Sequence, residues 1–319
     1  MRVVLGSHLV EPQTGGHVVT IGNFDGVHLG HRALISAARA RAHARGLPLV
    51  VYTFDPAPRD VLRPGNDIPR IQCLEDRLTL LAEQGVDLAV VEPFSAELAA
   101  RGAQRFAEEV LRDRLQAAEL VLGWDFRFGA GRTGDAAALQ GWLAVPVTTF
   151  GPWRDGDELA SSSRIRQATR AGDLELTNRL LGRPHVLVGE VIPGDQRGRT
   201  MGWRTANVRP RTALLPPDGV YAVLGELEDG ARHQGIANLG LRPTFGEGAR
   251  VLEVHLFGYQ GDIYGRTLRT HLVSRLRDER RFASRDALIH QIGLDIEEAH
   301  LALDANQARS EGDAQDKSR

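Results

Sequence analysis

The stretch that most constrains this chain is Val18-Val19-Thr20-Ile21-Gly22-Asn23-Phe24-Asp25-Gly26-Val27-His28-Leu29-Gly30-His31-Arg32. A β-branched apolar run, a Gly/Asn/Asp/Gly turn and a helix-forming stretch over 29–45 predict a strand, a tight turn and a helix N-terminus. The amides of a first helical turn have no intrahelical partner and sit at the positive end of the dipole, so an anion the size of a phosphate is favoured there. His28 and His31 are three apart and project from one side of that turn. Gly22, Gly26 and Gly30 leave the backbone open to close approach by a ligand. Imidazoles and amides so arranged can hold the charge that gathers on phosphate oxygens, with neither histidine acting as a base. One capping and one surface histidine is the plainer alternative.

Beyond the first helix, apolar runs at 47–54, 88–91 and 120–122 show no polar alternation and are separated by helical patterns near 74–84 and 101–115. That combination predicts a parallel sheet covered on both faces. Ligands of such sheets lie beyond the carboxyl ends of the strands, where Asn23, Asp55, Phe94 and Asp125 would gather. The loop 123–135 mixes Gly, Arg and aromatics; exposed aromatics beside glycines suit a planar ring and a phosphate, and a long solvated connection carrying Arg127 and Arg132 is the alternative. Ser161-Ser162-Ser163-Arg164-Ile165-Arg166 opens a further helix. A row of serines there is a cap, but two arginines in the same turn add charge suited to a triphosphate, which assigns Ser162, Arg164 and Arg166 to it.

Leu181-Gly182-Arg183-Pro184 ends the helical pattern, and short strand-like runs follow at 185–191, 219–224, 233–238, 252–257 and 267–273 without intervening helices. These predict an antiparallel barrel. Ser284 caps a closing helix whose Ile289, Ile292, Ile296, Ala299 and Leu303 form one apolar stripe, and 307–319 reads as a disordered tail. The expected architecture is therefore a Rossmann-like α/β parallel-sheet domain over 1–182, a C-terminal antiparallel β-barrel with its closing helix over 183–306, and the tail. In the barrel, the glycine-rich 194–202 loop offers amides that could wrap phosphate. Thr205 and Asn207 offer two oxygen ligands two apart on an extended segment, suited to a hard cation, although such a triplet is commonly a local turn. Glu253, on an alternating strand, is either a catalytic carboxylate or an outward polar residue.

Composition narrows the chemistry. Only one of the 39 Lys and Arg residues is a lysine, Lys317. No P-loop lysine or Schiff-base lysine is available, so any phosphate is held by Arg, His, backbone amides or a metal. A net charge of −2 gives no whole-protein attraction to nucleic acid. The longest apolar run is too short for a bilayer and no signal-peptide pattern opens the chain, which predicts a cytoplasmic protein with no membrane partner. The single Cys73 excludes an internal disulfide and reads as a buried small hydrophobe.

Several of these motifs, spread from about residue 18 to about residue 305, carry a resemblance. GNFDGVHLGH resembles the G-x-F-D-x-x-H-x-G-H signature of the nucleotidyltransferase superfamily, and the remaining motifs narrow it to the prokaryotic bifunctional riboflavin kinase/FMN adenylyltransferase, or FAD synthetase, family. The segment at Gly123 is similar to G-x-D/N-F-x-F-G, and Ser161–Arg166 is similar to I-S-S-T-x-I-R with Ala160 and Ser163 replacing Ile and Thr. Thr205-Ala206-Asn207 resembles the end of G-F-P-T-A-N, and Leu252-Glu253-Val254-His255 resembles L-E-x-H.

The resemblance implies in-line attack of the FMN phosphate on the α-phosphorus of ATP, with His28 and His31 catalytic. It implies ATP contacts from Gly22, Asn23, Phe24, Asp25, Ser162, Arg164 and Arg166, and flavin contacts from Asp125, Phe126 and Phe128. In the barrel it implies Glu253 as general base on the 5′-hydroxyl of riboflavin, ATP contacts from Gly194, Gly198, Arg199 and Gly202, Mg²⁺·ATP bound by Thr205 and Asn207, and Asn238 and Arg277 nearer the flavin. The implied small-molecule partners are riboflavin, FMN, FAD and ATP, with the oligomeric state open. Two departures stand out: Ala57 occupies the histidine of the family's F-x-P-H-P, and Arg204 its proline before Thr205. They keep two rival readings alive, a chain retaining one of the two activities and a flavin- or nucleotide-binding regulator without turnover. A class I tRNA synthetase is disfavoured by the missing lysine motif.

Overall fold

The computed structural model describes residues 1–12, 14–65, 68–193, 203–241 and 250–316. The chain divides into two compact units, Met1–Ser162 and Ser163–Arg319.

In the first unit, β1 (Arg2–Leu5), β2 (His17–Ile21), β3 (Leu49–Phe54), β4 (Leu88–Glu92), β5 (Ala117–Gly123) and β6 (Val147–Phe150) form one parallel sheet in the order β1-β4-β3-β2-β5-β6. Both faces are covered, as the unbroken apolar runs require. Val18, Leu49, Val51 and Val121 pack on α1 (Leu29–Arg45) on one face. Val19, Tyr52, Val90 and Leu120 meet Phe106, Leu111 and Leu139 on the other. The short helix α2 (Pro58–Leu62) follows β3, α3 (Leu74–Glu83) precedes β4, and α4 (Ala96–Ala100) follows it. The helix expected over 101–115 is realised as α5 (Ala103–Phe106), which runs on into a π-helical stretch, Ala107–Arg114, closed by Leu115 N–H donating to the Val110 carbonyl at 2.9 Å. Then come α6 (Ala136–Leu143) and a small hairpin, β7 (Arg154–Asp155) with β8 (Glu158–Leu159). The chain steps from β2 outward through β3 and β4, then returns to pair β5 on the other side of β2. The turn after β2 therefore lies at the topological switch point, where a parallel sheet opens a crevice.

The second unit contains α7 (Ser162–Ala171) beyond its first residue and α8 (Leu174–Leu181), which the sequence boundary at 181–184 would assign to the first domain. Their side chains explain the difference. Leu174 joins the barrel core, and Asn178 donates from Nδ2 to the Leu272 carbonyl at 2.9 Å while its Oδ1 accepts from His185 N–H at 2.8 Å. The barrel is closed by six antiparallel strands, β9 (His185–Ile192), β10 (Ala206–Pro210), β11 (Gly219–Glu226), β12 (Arg232–Leu241), β13 (Arg250–Leu256) and β14 (Thr267–Arg277), in the order β10-β13-β12-β11-β14-β9. Alternation is kept: Leu252, Val254 and Leu256 fill the interior, so Glu253 and His255 point outward. Helix α9 (Arg285–Asp316) starts at Ser284, whose Oγ accepts from Ala287 N–H at 3.1 Å, and lays Ala299, Leu303, Ile292 and Ile296 on the barrel's Ala222, Ile236 and Val273.

Helix α9 runs on to Asp316, with a Gln307–Glu311 bond one turn apart near its end. One expectation needs correction. Cys73 is half-buried at the cap of α3 rather than in the core, and burial still pushes its thiol up to about 11. No helix among the described residues is long and apolar enough to cross a membrane.

Candidate active sites

The turn after β2 is held in an unusual backbone conformation. Phe24 (φ 48°) and Val27 (φ 37°) adopt positive φ although neither is glycine, and Gly26 sits at φ 95°. Such residues cost about 1–3 kcal/mol each and persist only where surroundings over-determine them. Here both side chains are fully buried, and the Asn23 carbonyl is fixed by Thr53 Oγ1 (3.2 Å) and Arg77 Nη1 (2.9 Å). The glycines serve this packing as much as ligand access. A Cβ on Gly30 would lie 3.0 Å from the Ala160 carbonyl and 3.2 Å from the His28 ring.

His28 caps α1: its Nδ1 accepts from His31 N–H at 3.3 Å, which leaves its ring proton on Nε2. The two imidazoles stack with centroids 3.6 Å apart, the Phe24 ring standing 5.2 Å from His31. The Nδ1 of His31 is shut from solvent and has no hydrogen-bond partner among the described residues. Burial, reinforced by His28, pushes His31 well below the ordinary 6.5, so it is neutral near pH 7. The expected one-sided projection of the pair is present.

Asp25 is engaged within the protein through both its side chain and its backbone. Its carboxylate accepts Ile71 N–H at 3.0 Å and Arg59 Nη2 at 3.3 Å, and its carbonyl accepts the Ser162 hydroxyl at 2.7 Å. It ties the turn to α2, to the segment before α3 and to Ser162. Phe24 is likewise a core residue, leaving the backbone of Gly22 and the exposed Asn23 as the accessible part of the quartet. Arg164 is half-buried and Arg166 buried on the α7 turns after Ser162. Three further arginines, Arg59, Arg70 and Arg77, stand apart from any motif in the sequence yet are held by acidic groups or carbonyls around this turn. Arg70 bonds Asp60 Oδ2 at 2.9 Å and pairs with Asp55, which Arg77 also approaches at 3.7 Å. Asp55, just after β3, is thus an anchor for arginines; the local sign of it is the alternation of Asp55, Asp60 and Asp67 with Arg59, Arg63 and Arg70. Ala57 caps α2 with 7% exposure and offers no polar atom.

The 123–135 loop folds on itself. Phe128 and Gly134 exchange backbone hydrogen bonds of 3.1 and 3.0 Å, and the Phe128 ring packs on Phe106 and Trp142. Phe126 stacks on Phe128 at 5.4 Å; both are half-buried, not exposed as the sequence suggested, while Asp125 is exposed.

In the barrel, β13 runs between β10 and β12 so that Glu253 stands opposite Asn207 on one side and Asn238 on the other. This outward row joins three of the sequence-selected residues, with Asn207 only 7% exposed. Asn238 Nδ2 also reaches Glu279 at 3.4 Å. Thr205 lies just before β10 and lines a cleft of about 280 Å³, with Val254, Leu256, Tyr259 and Tyr264 also among its walls. Arg277 is engaged elsewhere: Nε and Nη2 grip both oxygens of buried Asp295 at 2.8 and 2.7 Å. Gly194, Gly198, Arg199 and Gly202 lie outside the described residues.

The chain matches the family model described as FAD synthetase over residues 10–164 and that described as riboflavin kinase over 181–303. It is 40% identical over 303 residues to a bifunctional riboflavin kinase/FMN adenylyltransferase of Escherichia coli (strain K12), spanning 92% of this chain and 96% of that protein. A protein of the same description from Bacillus subtilis (strain 168) is 36% identical over 299 residues, spanning 92% and 94%. The solved structure of a macrolide-efflux protein from Streptococcus pneumoniae superposes with a TM-score of 0.86 at 31% identity, over 94% of this chain and 99% of that one.

Proposed function

Because the chain belongs to the family of bifunctional riboflavin kinase/FMN adenylyltransferases, we propose that it makes FAD from riboflavin in two ATP-dependent steps, one in each half. The C-terminal half phosphorylates riboflavin to FMN, and the N-terminal half adenylylates FMN and releases pyrophosphate. The observation that carries this reading is the stacked His28–His31 pair, with His31 kept neutral, at the N-terminus of α1 and the switch point of a parallel sheet. The corresponding functional spans are 1–182 and 183–306, with the reactions in the cytoplasm.

In the adenylyl transfer, an FMN phosphate oxygen attacks the α-phosphorus of ATP and the bond to pyrophosphate breaks. An ionised phosphate has no proton to lose, so the site needs no base. His28 and His31 serve as hydrogen-bond donors to the oxygens that gain charge, His28 through the proton that its cap leaves on Nε2 and His31 as an imidazole kept neutral by burial. Ser162, Arg164 and Arg166 hold the triphosphate, the Gly22–Asn23 backbone lies against it, and Asp125 and Phe126 border the flavin over a floor made by Phe128. Phe24 and Asp25 shape this site without touching nucleotide.

In the kinase step, Glu253 takes the proton of the riboflavin 5′-hydroxyl as that oxygen attacks the γ-phosphorus and ADP departs. Asn207 and Asn238 flank the carboxylate and orient it and the flavin chain. Thr205 and Asn207 would hold the Mg²⁺ that accompanies ATP. A hydroxyl and an amide carbonyl are hard oxygen donors. No group of three His, Cys, Asp or Glu among the described residues could hold a metal by itself, which suits a cation that keeps its water and phosphate ligands. Once bound, that ion neutralises charge on the phosphates. Gly194, Gly198, Arg199 and Gly202, outside the described residues, are assigned to ATP by likeness to the family.

Purified protein given riboflavin and Mg·ATP should yield FMN and then FAD by chromatography; if neither forms, the enzyme reading fails. One observation favours a narrower alternative: the buried methyl of Ala57 stands where the family motif has an imidazole. A chain that had lost adenylyl transfer would stop at FMN and leave supplied FMN unchanged.

A further inference from the structure

The clearest unexplained arrangement near Thr205 involves two residues the mechanism has not used. The β10–β13 pairing runs Val208↔Leu252, Asn207↔Glu253, Ala206↔Val254. Beyond the last of these pairs, the Arg204 carbonyl, two residues before Ala206, meets a side chain: His255 Nδ1 lies 2.7 Å from it. A carbonyl only accepts, so Nδ1 carries the proton, and the imidazole extends the ladder past its last backbone pair. The ring is itself supported. It meets Phe257 edge-on with centroids 5.7 Å apart, and Phe257 in turn lies against His300 of α9 at 4.5 Å. On the other flank, Arg204 Nη1 donates to the Gln260 carbonyl at 3.0 Å, bridging to the 259–264 wall of the cleft that Thr205 lines. Thr205 is thereby fixed from both ends, by the sheet at Ala206 and by this double tie at Arg204. Both bonds are solvent-exposed, so they add little to folding and much to the placement of one hydroxyl.

We propose that His255, acting through the Arg204 carbonyl, is a positioning residue for Thr205 in riboflavin phosphorylation, with the Arg204 guanidinium as its second strut. The inference rests on the reading that Thr205 holds Mg·ATP. It also accounts for how this chain fixes the segment with arginine before Thr205: a side-chain strut does the work of restraint. His255 shares the outward face of β13 with Glu253, two residues away, yet its task concerns the nucleotide and not the hydroxyl proton.

Full-length protein distinguishes these roles by steady-state kinetics of FMN formation. His255→Phe keeps the ring and removes the donor; His255→Asn keeps a donor near Nδ1 and removes the ring. The expected result is a KM for Mg·ATP raised about tenfold by His255→Phe and restored to within about threefold by His255→Asn, with kcat and the KM for riboflavin nearly unchanged. Arg204→Ala, which keeps the carbonyl, should raise the same KM by about threefold. Adenylylation of supplied FMN should be unaffected in all three, and the retained kcat for FMN formation together with an unchanged thermal melt shows that the barrel itself folds. If Thr205→Ala raises the KM for Mg·ATP but His255→Phe does not, the positioning role is refuted and the reading of Thr205 stands. If neither raises it, both fall. A His255→Phe effect that His255→Asn does not restore also overturns the proposal.

Discussion

Asp25→Asn should loosen the first half of the molecule without weakening nucleotide affinity, because the Asp25 side chain is a knot and not a ligand. Its carboxylate is 12% exposed and holds the Ile71 amide and the Arg59 guanidinium, itself 27% exposed. An asparagine keeps a carbonyl oxygen for Ile71 N–H but presents either an amide or a neutral oxygen to Arg59. One charge-assisted bond is lost, about 1.5 kcal/mol after allowing for the partly exposed arginine. Asp25→Ala removes both and leaves a buried amide unsatisfied, about 3–4 kcal/mol. With a urea slope of about 2 kcal/mol/M, the midpoints should fall by about 0.7 M and about 1.5–2 M. Tryptophan fluorescence reports this well, since Trp124, Trp142 and Trp153 lie in the first unit and only Trp203 in the second. Adenylyl transfer measured at low denaturant should keep its KM for ATP in the asparagine variant. An unchanged midpoint together with a raised KM would refute the reasoning and return Asp25 to the ligand set.

Asp295→Ala should destabilise the barrel half by about 3–5 kcal/mol, because it strands the Arg277 guanidinium beside a helix that no longer grips it; replacing both residues by apolar side chains should recover most of the loss in thermal melts. Glu226 supplies an acid-sensitive contribution. Hydrogen bonds from His271 and then Arg232 hold its carboxyl down at about 2, against an ordinary 4.5. The unfolded chain then binds more protons between these values, so the stabilisation is complete above about 4.5 and is lost as pH falls toward 2. Glu226→Gln should flatten the pH dependence of stability across that window, and an unaltered slope would show the pairing to be without effect.

Much of the fold is legible in the sequence because the two halves bury their strands differently. Uninterrupted runs such as Leu49–Phe54 have both faces covered, while Leu252, Val254 and Leu256 alternate with Glu253 and His255 as a barrel wall must. The edge strands escape notice for the same reason. β1 exposes Val3 at 41% and Leu5 at 61%, and β6 carries Thr148 and Thr149, so neither presents a continuous apolar run. The site was legible where it depends on neighbours in sequence, as with His28 and His31 across one helical turn. It was not legible where partners are remote. The bonds that occupy Asp25 come from 34 and 46 residues away, and nothing local to Arg277 announces Asp295. His255 stands in the sequence only as part of a motif, and its link to a carbonyl 51 residues earlier depends on the β10–β13 register.

The central claim is that one chain carries two independent ATP-using centres, and a crossed pair of variants tests it most directly. With riboflavin and Mg·ATP, His28→Ala/His31→Ala should accumulate FMN and form FAD at least about a hundredfold more slowly than the parent chain. Glu253→Gln should leave riboflavin almost untouched, yet convert supplied FMN to FAD at the parent rate. Loss of both reactions in each variant, or of neither, would contradict the account.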